Sequence, residues 1–236
     1  MNLKQTASIA VAVAAMVSLA GGSAAVPRAA PDPSNFVSRV DNPWFPLRPG
    51  TTFRYRGHKD GERQTDVVTV THKTKTILGI KAIVVHDRVF FRGGGVAEDT
   101  LDWYAQDKRG NVWYLGEATK ELDRHGHVKS REGSWQAGVR GARAGMVMPG
   151  HPKVGETHRM EFEAGNAEDF FRVKSLHASV SVPAVSSRHA LRTAEWTPLE
   201  RGVRDAKYYV RGIGSVLELT VKGGSERFEL VSVERR

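Results

Sequence analysis

The sequence predicts an all-β fold: a mostly antiparallel barrel or half-barrel with a long Gly-rich loop and little helix. Three observations carry this expectation. From Thr51 onward the chain reads as short runs rich in Val, Ile, Thr and aromatic residues, several with strict apolar/polar alternation. Gly and Asp/Asn turns such as "HKDGE", "DKRGN", "RHGH" and "KGGSE" separate most of these runs. No long segment repeats its apolar residues at the helical period, and the best helical candidate is a short one around residues 164–169. Short strands at regular spacing, without an internal repeat that would signal a propeller, point to roughly ten strands in a closed or partly open barrel.

Taken in order, residues 1–25 read as a signal peptide. Lys4 supplies the basic start, residues 7–20 the apolar run, and Ser23 and Ala25 the small residues before a cleavage site. The apolar run is Ala-rich and falls short of the about 20 strongly apolar residues of a membrane span. No later run is long enough, so the mature chain is expected to have no membrane span and to be exported, periplasmic or extracellular. Residues 26–41 form a Pro/Ala linker, and residues 42–236 a single β-rich domain. That domain opens on "NPWFPLRPG", whose prolines at 43, 46 and 49 repeat every third residue, as along one ridge of a polyproline II helix. Trp44, Phe45 and Leu47 then face elsewhere, and the segment is expected to plug one end of the core with them.

Strands follow in "TTFRYRGH", "TDVVTVTHKTKT" and "GIKAIVVHDRVFF". The stretch "DWYAQDKRGNVWYLGE" is a hairpin, with "DKRG" forming a type I turn closed by a Gly bulge at Gly110. The turn sets Tyr104 opposite Tyr114, Trp103 opposite Leu115 and Leu101 opposite Glu117. One face then carries Leu101, Trp103, Ala105, Trp113, Leu115 and Glu117, and the other Asp102, Tyr104, Gln106, Val112 and Tyr114. A Gly-rich segment, residues 133–156, breaks the strand pattern with glycines at 133, 138, 141, 145, 150 and 155. It reads either as a crossover with short strand pieces or as a lid carrying Trp135, Met146 and Met148 over a cavity. The remaining runs, ending in "SVLELTVKG" and "ERFELVSVER", alternate clearly.

The 236 residues include no Cys, which excludes disulfides, thiolate metal sites and Cys nucleophiles. The formal net charge is +9, of which Lys4 contributes one, leaving +9 − 1 = +8 on the mature chain. Such a surface is drawn to anionic partners, for which an envelope surface is the expected source. The basic residues are interleaved with acids and no nucleic-acid-binding signature is present, so nucleic acid is not an expected partner.

Candidate chemistry is sparse. Asp102 and Glu117 are the candidate catalytic carboxylates. Glu117, on an otherwise apolar face, should be either a buried ion-pair partner, with Arg expected, or a general acid whose pKa burial raises. His125 and His127, with Asp123 nearby, form the one H-x-H candidate for a metal. Phosphate-loop, HExxH, GxSxG and EF-hand signatures are absent from the sequence, and no cofactor is expected.

The patterns NPWFPLxPG, DWYAQDxxGNVWYxGE and GSWxAGVxGA, together with "GNAEDF" and "AKYYVRGIGSVLEL", resemble a family of exported bacterial proteins of uncharacterised function over nearly the whole mature chain. The closing "KYYVRGIGSV" is also similar to strands of periplasmic half-barrel lipoprotein-like folds. The resemblance implies export and a β-rich domain, and brings no reaction or catalytic residue. The sequence therefore favours a binding role: an apolar or amphipathic ligand in a β-barrel cavity, with Trp135, Met146, Met148, Tyr104 and Tyr114 as its contacts and basic rim residues on an anionic headgroup. The alternatives are an exported hydrolase using Asp102 and Glu117, and a structural or interaction protein of the cell envelope.

Overall fold

The computed structural model describes residues 31–235, so the expected signal peptide and the first five residues of the expected linker lie outside the described residues. A single 3₁₀ turn at Pro33–Asn35 is followed by strands only. These are β1 (Phe36–Val37), β2 (Thr51–Lys59), β3 (Glu62–Ile77), β4 (Ile80–Phe91), β5 (Val96–Asp107), β6 (Val112–Ala118), β7 (Glu121–Leu122), β8 (Val128–Ser130) and β9 (Trp135–Gln136). The chain continues with β10 (Arg143–Met148), β11 (Thr157–Arg159), β12 (Glu161–Phe162), β13 (Phe170–Val182), β14 (Val185–Trp196), β15 (Arg204–Val210), β16 (Gly214–Lys222) and β17 (Arg227–Arg235). The helix expected around residues 164–169 is instead a tight turn, closed by the Glu163–Ala167 bridge.

Neighbouring strands pair antiparallel from β2 through β6, then β6 with β10, β10 with β12, β11 with β13, and on through β17. β17 pairs back onto β2, with Arg235 opposite Thr51. The result is a nearly closed barrel whose seam is the short β10–β12 and β11–β13 pairing. Period-two alternation then decides which side chains face in. On β2, β3 and β4 the inward sets are Phe53, Tyr55 and Lys59; Gln64, Asp66, Val68 and Val70; and Val85, Asp87, Val89 and Phe91.

The plug expected from "NPWFPLRPG" is present. Trp44 and Leu47 are buried in the main core beside Phe53, Val70, Leu191 and Val216. Asn42 ties the segment down: its Nδ2 donates to the carbonyls of Gly110 and Pro149, its Oδ1 accepts from the Trp44 amide, and its own amide donates to Gln106 Oε1. A second core covers the opposite face of β4, β5 and β6. There Ala82, Val84, Trp103, Ala105 and Leu115 pack with Trp135, Ala137 and Ala142 of the Gly-rich segment. That segment is therefore a clasp on the wall: β9 pairs with β6 at Glu117 and Gly116, and β10 pairs with β6 at Tyr114, Trp113 and Val112.

The hairpin follows its expected register near the turn, with Tyr104 opposite Tyr114 and Ala105 opposite Trp113. Beyond Tyr114 it departs. An extra residue at Leu115–Gly116 makes a β-bulge, so Leu101 faces Ala118 and Asp102 faces Glu117. Gly116 sits at φ 134°, and a Cβ there would lie 2.4 Å from the Trp135 carbonyl oxygen, so only Gly fits. The bulge moves Glu117 from the Trp103 face, where regular alternation puts it, to the inward face beside Asp102.

Candidate functional site: an acid-lined barrel cavity

The barrel holds a cavity of about 530 Å³. Its wall near the plug is apolar, formed by Phe45, Leu47, Phe53 and Ile213. The far part carries the charged groups, Lys59, Glu62, Glu98, Glu121, Lys129 and Glu226, set among Phe91, Leu122 and Phe228. Between them stand Asp66, Asp87, Lys207 and Glu218, brought in phase by the pairing of Tyr55 with Asp66, Asp66 with Val89, Val68 with Asp87 and Lys207 with Glu218.

Asp66 and Asp87 are diagonal neighbours on the inward face of β3 and β4, since Asp66 pairs with Val89 and Asp87 with Val68. Burial, and then the charge of Asp87, push the Asp66 pKa well above its ordinary value. Burial raises Asp87 as well, partly offset by its contact with Asp66. Glu98 is pushed up to about 7, by burial first and Asp87 second. Glu218 is pushed up to about 8 by burial, although Lys207 pulls the other way. These shifts have one origin: an enclosed carboxyl loses its water and keeps its proton longer. Lys207 is the central cation, 3.2 Å from Glu195 and 3.3 Å from Glu218. Burial works against its charge, but these carboxylates outweigh it and hold its pKa above the ordinary lysine range.

The acid lining continues deeper into the wall. Asp102 and Glu117, only 8% and 6% exposed, face each other there. The Tyr114 hydroxyl donates to Asp102, whose pKa burial and then Asp87 push up to about 8. Glu117 is raised well above the ordinary range by burial and then by Glu161. Its Oε1 has no hydrogen-bond partner, and in place of the expected Arg its neighbours are the carboxyls of Glu161 and Asp102. Neither Asp102 nor Glu117 borders the cavity, so the two do not form the open cleft a hydrolase would need.

The five expected ligand contacts also lie away from the cavity lining. Trp135 is 2% exposed, donates through Nε1 to Glu161 Oε2 at 2.9 Å and packs edge-on to Tyr114. Met148 is fully buried in the main core, and Met146 sits half-buried on β10 opposite Trp113. Tyr104 and Tyr114 stack on each other at 4.7 Å, with Phe45 of the plug edge-on to Tyr104. His125 and His127 are exposed in the β7–β8 hairpin, where Asp123 accepts both backbone amides. Among the described residues no group of three or more His, Asp or Glu is disposed to hold a metal ion.

The sequence reading passed over Asp66, Asp87, Glu218 and Lys207. One signal was available: Asp87 interrupts the apolar set Ile83, Val85, Val89 and Phe91 in phase, and an acid on a core-facing phase needs a reason.

No helix among the described residues is long and apolar enough to cross a membrane. No family model and no curated protein matches the chain. Two crystal structures are similar in fold. One is a presumed exported protein with YmcC-like fold from Bacteroides fragilis NCTC 9343, at 12% identity and TM-score 0.49, matched over 81% of this chain and 99% of that one. The other is a presumed lipoprotein from Parabacteroides distasonis ATCC 8503, at 10% identity and TM-score 0.44, matched over 81% of this chain and 98% of that one.

Proposed function

We propose that this chain is an exported envelope or extracellular binding protein that takes an amphipathic ligand into the barrel cavity. The observation that carries the reading is the cavity: about 530 Å³, apolar where the plug closes it and lined with charged groups at the other end. Ligand sites commonly measure about 300–1,000 Å³ and combine apolar walls with a few polar groups. The gradient from Phe45, Leu47 and Phe53 to Lys59, Glu98 and Glu226 matches a molecule with an apolar body and a polar head. Export rests on the leader of residues 1–25.

Native mass spectrometry of the mature protein purified from its own host tests this. A bound organic mass is expected on the wild type and should be lost from V89W, which places an indole in the cavity, while circular dichroism shows the barrel intact. A bare wild-type mass that stays bare after incubation with the host's lipid extract would overturn the reading.

A further inference from the structure

We infer that the ligand's polar head is a cation, a protonated amine seated between Asp66 and Asp87. This inference rests on the cavity reading above and names the chemistry of its occupant.

Eight carboxylates border the cavity against three lysines. Two of those lysines are already engaged, Lys207 with Glu195 and Glu218, and Lys59 with Glu226 at 3.6 Å. Asp66 and Asp87 have no cationic partner among the described residues. Their Oδ1 atoms are shielded from solvent and unpartnered, as is Oε1 of Gln64 beside them. One candidate donor is spent elsewhere: Tyr55, opposite Asp66, gives its hydroxyl proton to the Ser215 carbonyl at 3.0 Å. Apart from the Gln64 amide N–H groups and the proton that Asp66 and Asp87 can share, the site presents acceptors without donors. Buried polar groups in folded proteins are almost always paired, and a carboxylate's strongest pairings are with cationic N–H groups. A primary ammonium brings three donors and one positive charge. The aromatic rings of Phe53, Tyr55 and Phe228 border the same space and suit a cation better than an anion. An anionic headgroup at this depth would meet a surplus of like charge. The cationic head thus replaces the anionic one expected from the basic exterior.

The test is calorimetric titration of the full mature protein with decylamine, 1-decanol and decanoate, which share a chain and differ in the head. Decylamine is expected to bind about tenfold or more tighter than decanol, the worth of one or two charge-assisted hydrogen bonds, with decanoate the weakest. D66N and D87N keep the side-chain shape and should bring decylamine to the level of decanol while leaving decanol unchanged. Equal binding of all three probes, or a preference for decanoate, would overturn the cationic head and leave the cavity reading standing. An amine preference that survives both substitutions would overturn the assignment to Asp66 and Asp87. Failure of every probe with the barrel folded would remove the cavity reading and this inference with it.

Discussion

Replacing Asp102 by Asn probes whether the interior carboxyls hold protons. Asp102 faces inward on β5, with Glu117 opposite and the Tyr114 hydroxyl donating to it. Burial, then the charge of Asp87, raises its pKa from 3.8 to about 8, against the pull of Tyr114 and Lys207. In the unfolded chain it returns to its ordinary value. Between the two values the folded protein binds a proton that the unfolded chain has released. Stability then falls as pH rises, by about 1.4 kcal/mol per unit for one such proton. The contribution is complete below about pH 4 and gone above about pH 8. From about pH 5 to about pH 7.5, the stability difference between D102N and wild type should therefore move by about 3 kcal/mol in favour of D102N. Urea unfolding followed by tryptophan fluorescence at both pH values measures it. Local packing changes are common to the two conditions and cancel in the double difference. A difference that does not move with pH would mean that Asp102 titrates alike in the folded and unfolded protein, and the account of the interior would be wrong.

Three further outcomes follow from the same structure. K207M removes the cation between Glu195 and Glu218 and should cost about 3–5 kcal/mol in urea unfolding at neutral pH, and less at about pH 5, where the carboxyls it leaves can be protonated; a cost that grows on acidification would contradict this. G116A should destabilise by at least about 1–3 kcal/mol from backbone strain, before the clash with the Trp135 carbonyl is counted, and a melting temperature equal to wild type would refute the bulge. N42A strands the Gly110 and Pro149 carbonyls and the Trp44 amide and should cost about 3 kcal/mol by chemical denaturation, with faster proteolysis near the plug; an unchanged midpoint would show the plug is held by its aromatics alone.

The strands, the "DKRG" turn and the plug were legible because each is a local pattern. Alternation marks a strand wherever one face is buried, and Asp107 and Gly110 specify their turn without help from the rest of the chain. The Leu115–Gly116 bulge was not legible, because nothing local separates a Gly required by φ 134° from one that merely interrupts a strand. One inserted residue inverts every assignment after it, which is why Glu117 was expected on the wrong face. The cavity was hidden for another reason. Asp66, Asp87, Lys207 and Glu218 come from four strands, and only the closing of the sheet brings β15 and β16 across from β3 and β4. Read alone, each is a polar residue on a strand with one polar face. The Gly-rich segment drew attention as an unusual loop, whereas two of its glycines serve close packing: a Cβ would lie 2.2 Å from the Met160 backbone at Gly145 and 2.1 Å from the Arg109 carbonyl oxygen at Gly150.

The pairing of β17 with β2 has a kinetic meaning. A chain made from its N-terminus carries the edge of β2 unpartnered until its last strand arrives, because Thr51 waits for Arg235. Contacts this distant in sequence form late and slowly. Until they form, the sheet is an open trough, its inner carboxyls are wet, and they ionise at their ordinary values. Pairing β17 with β2 strips that water away and draws protons in. The final step of folding is thus also an acid–base reaction, with the last strand as its latch, and its equilibrium shifts with the acidity of the surroundings.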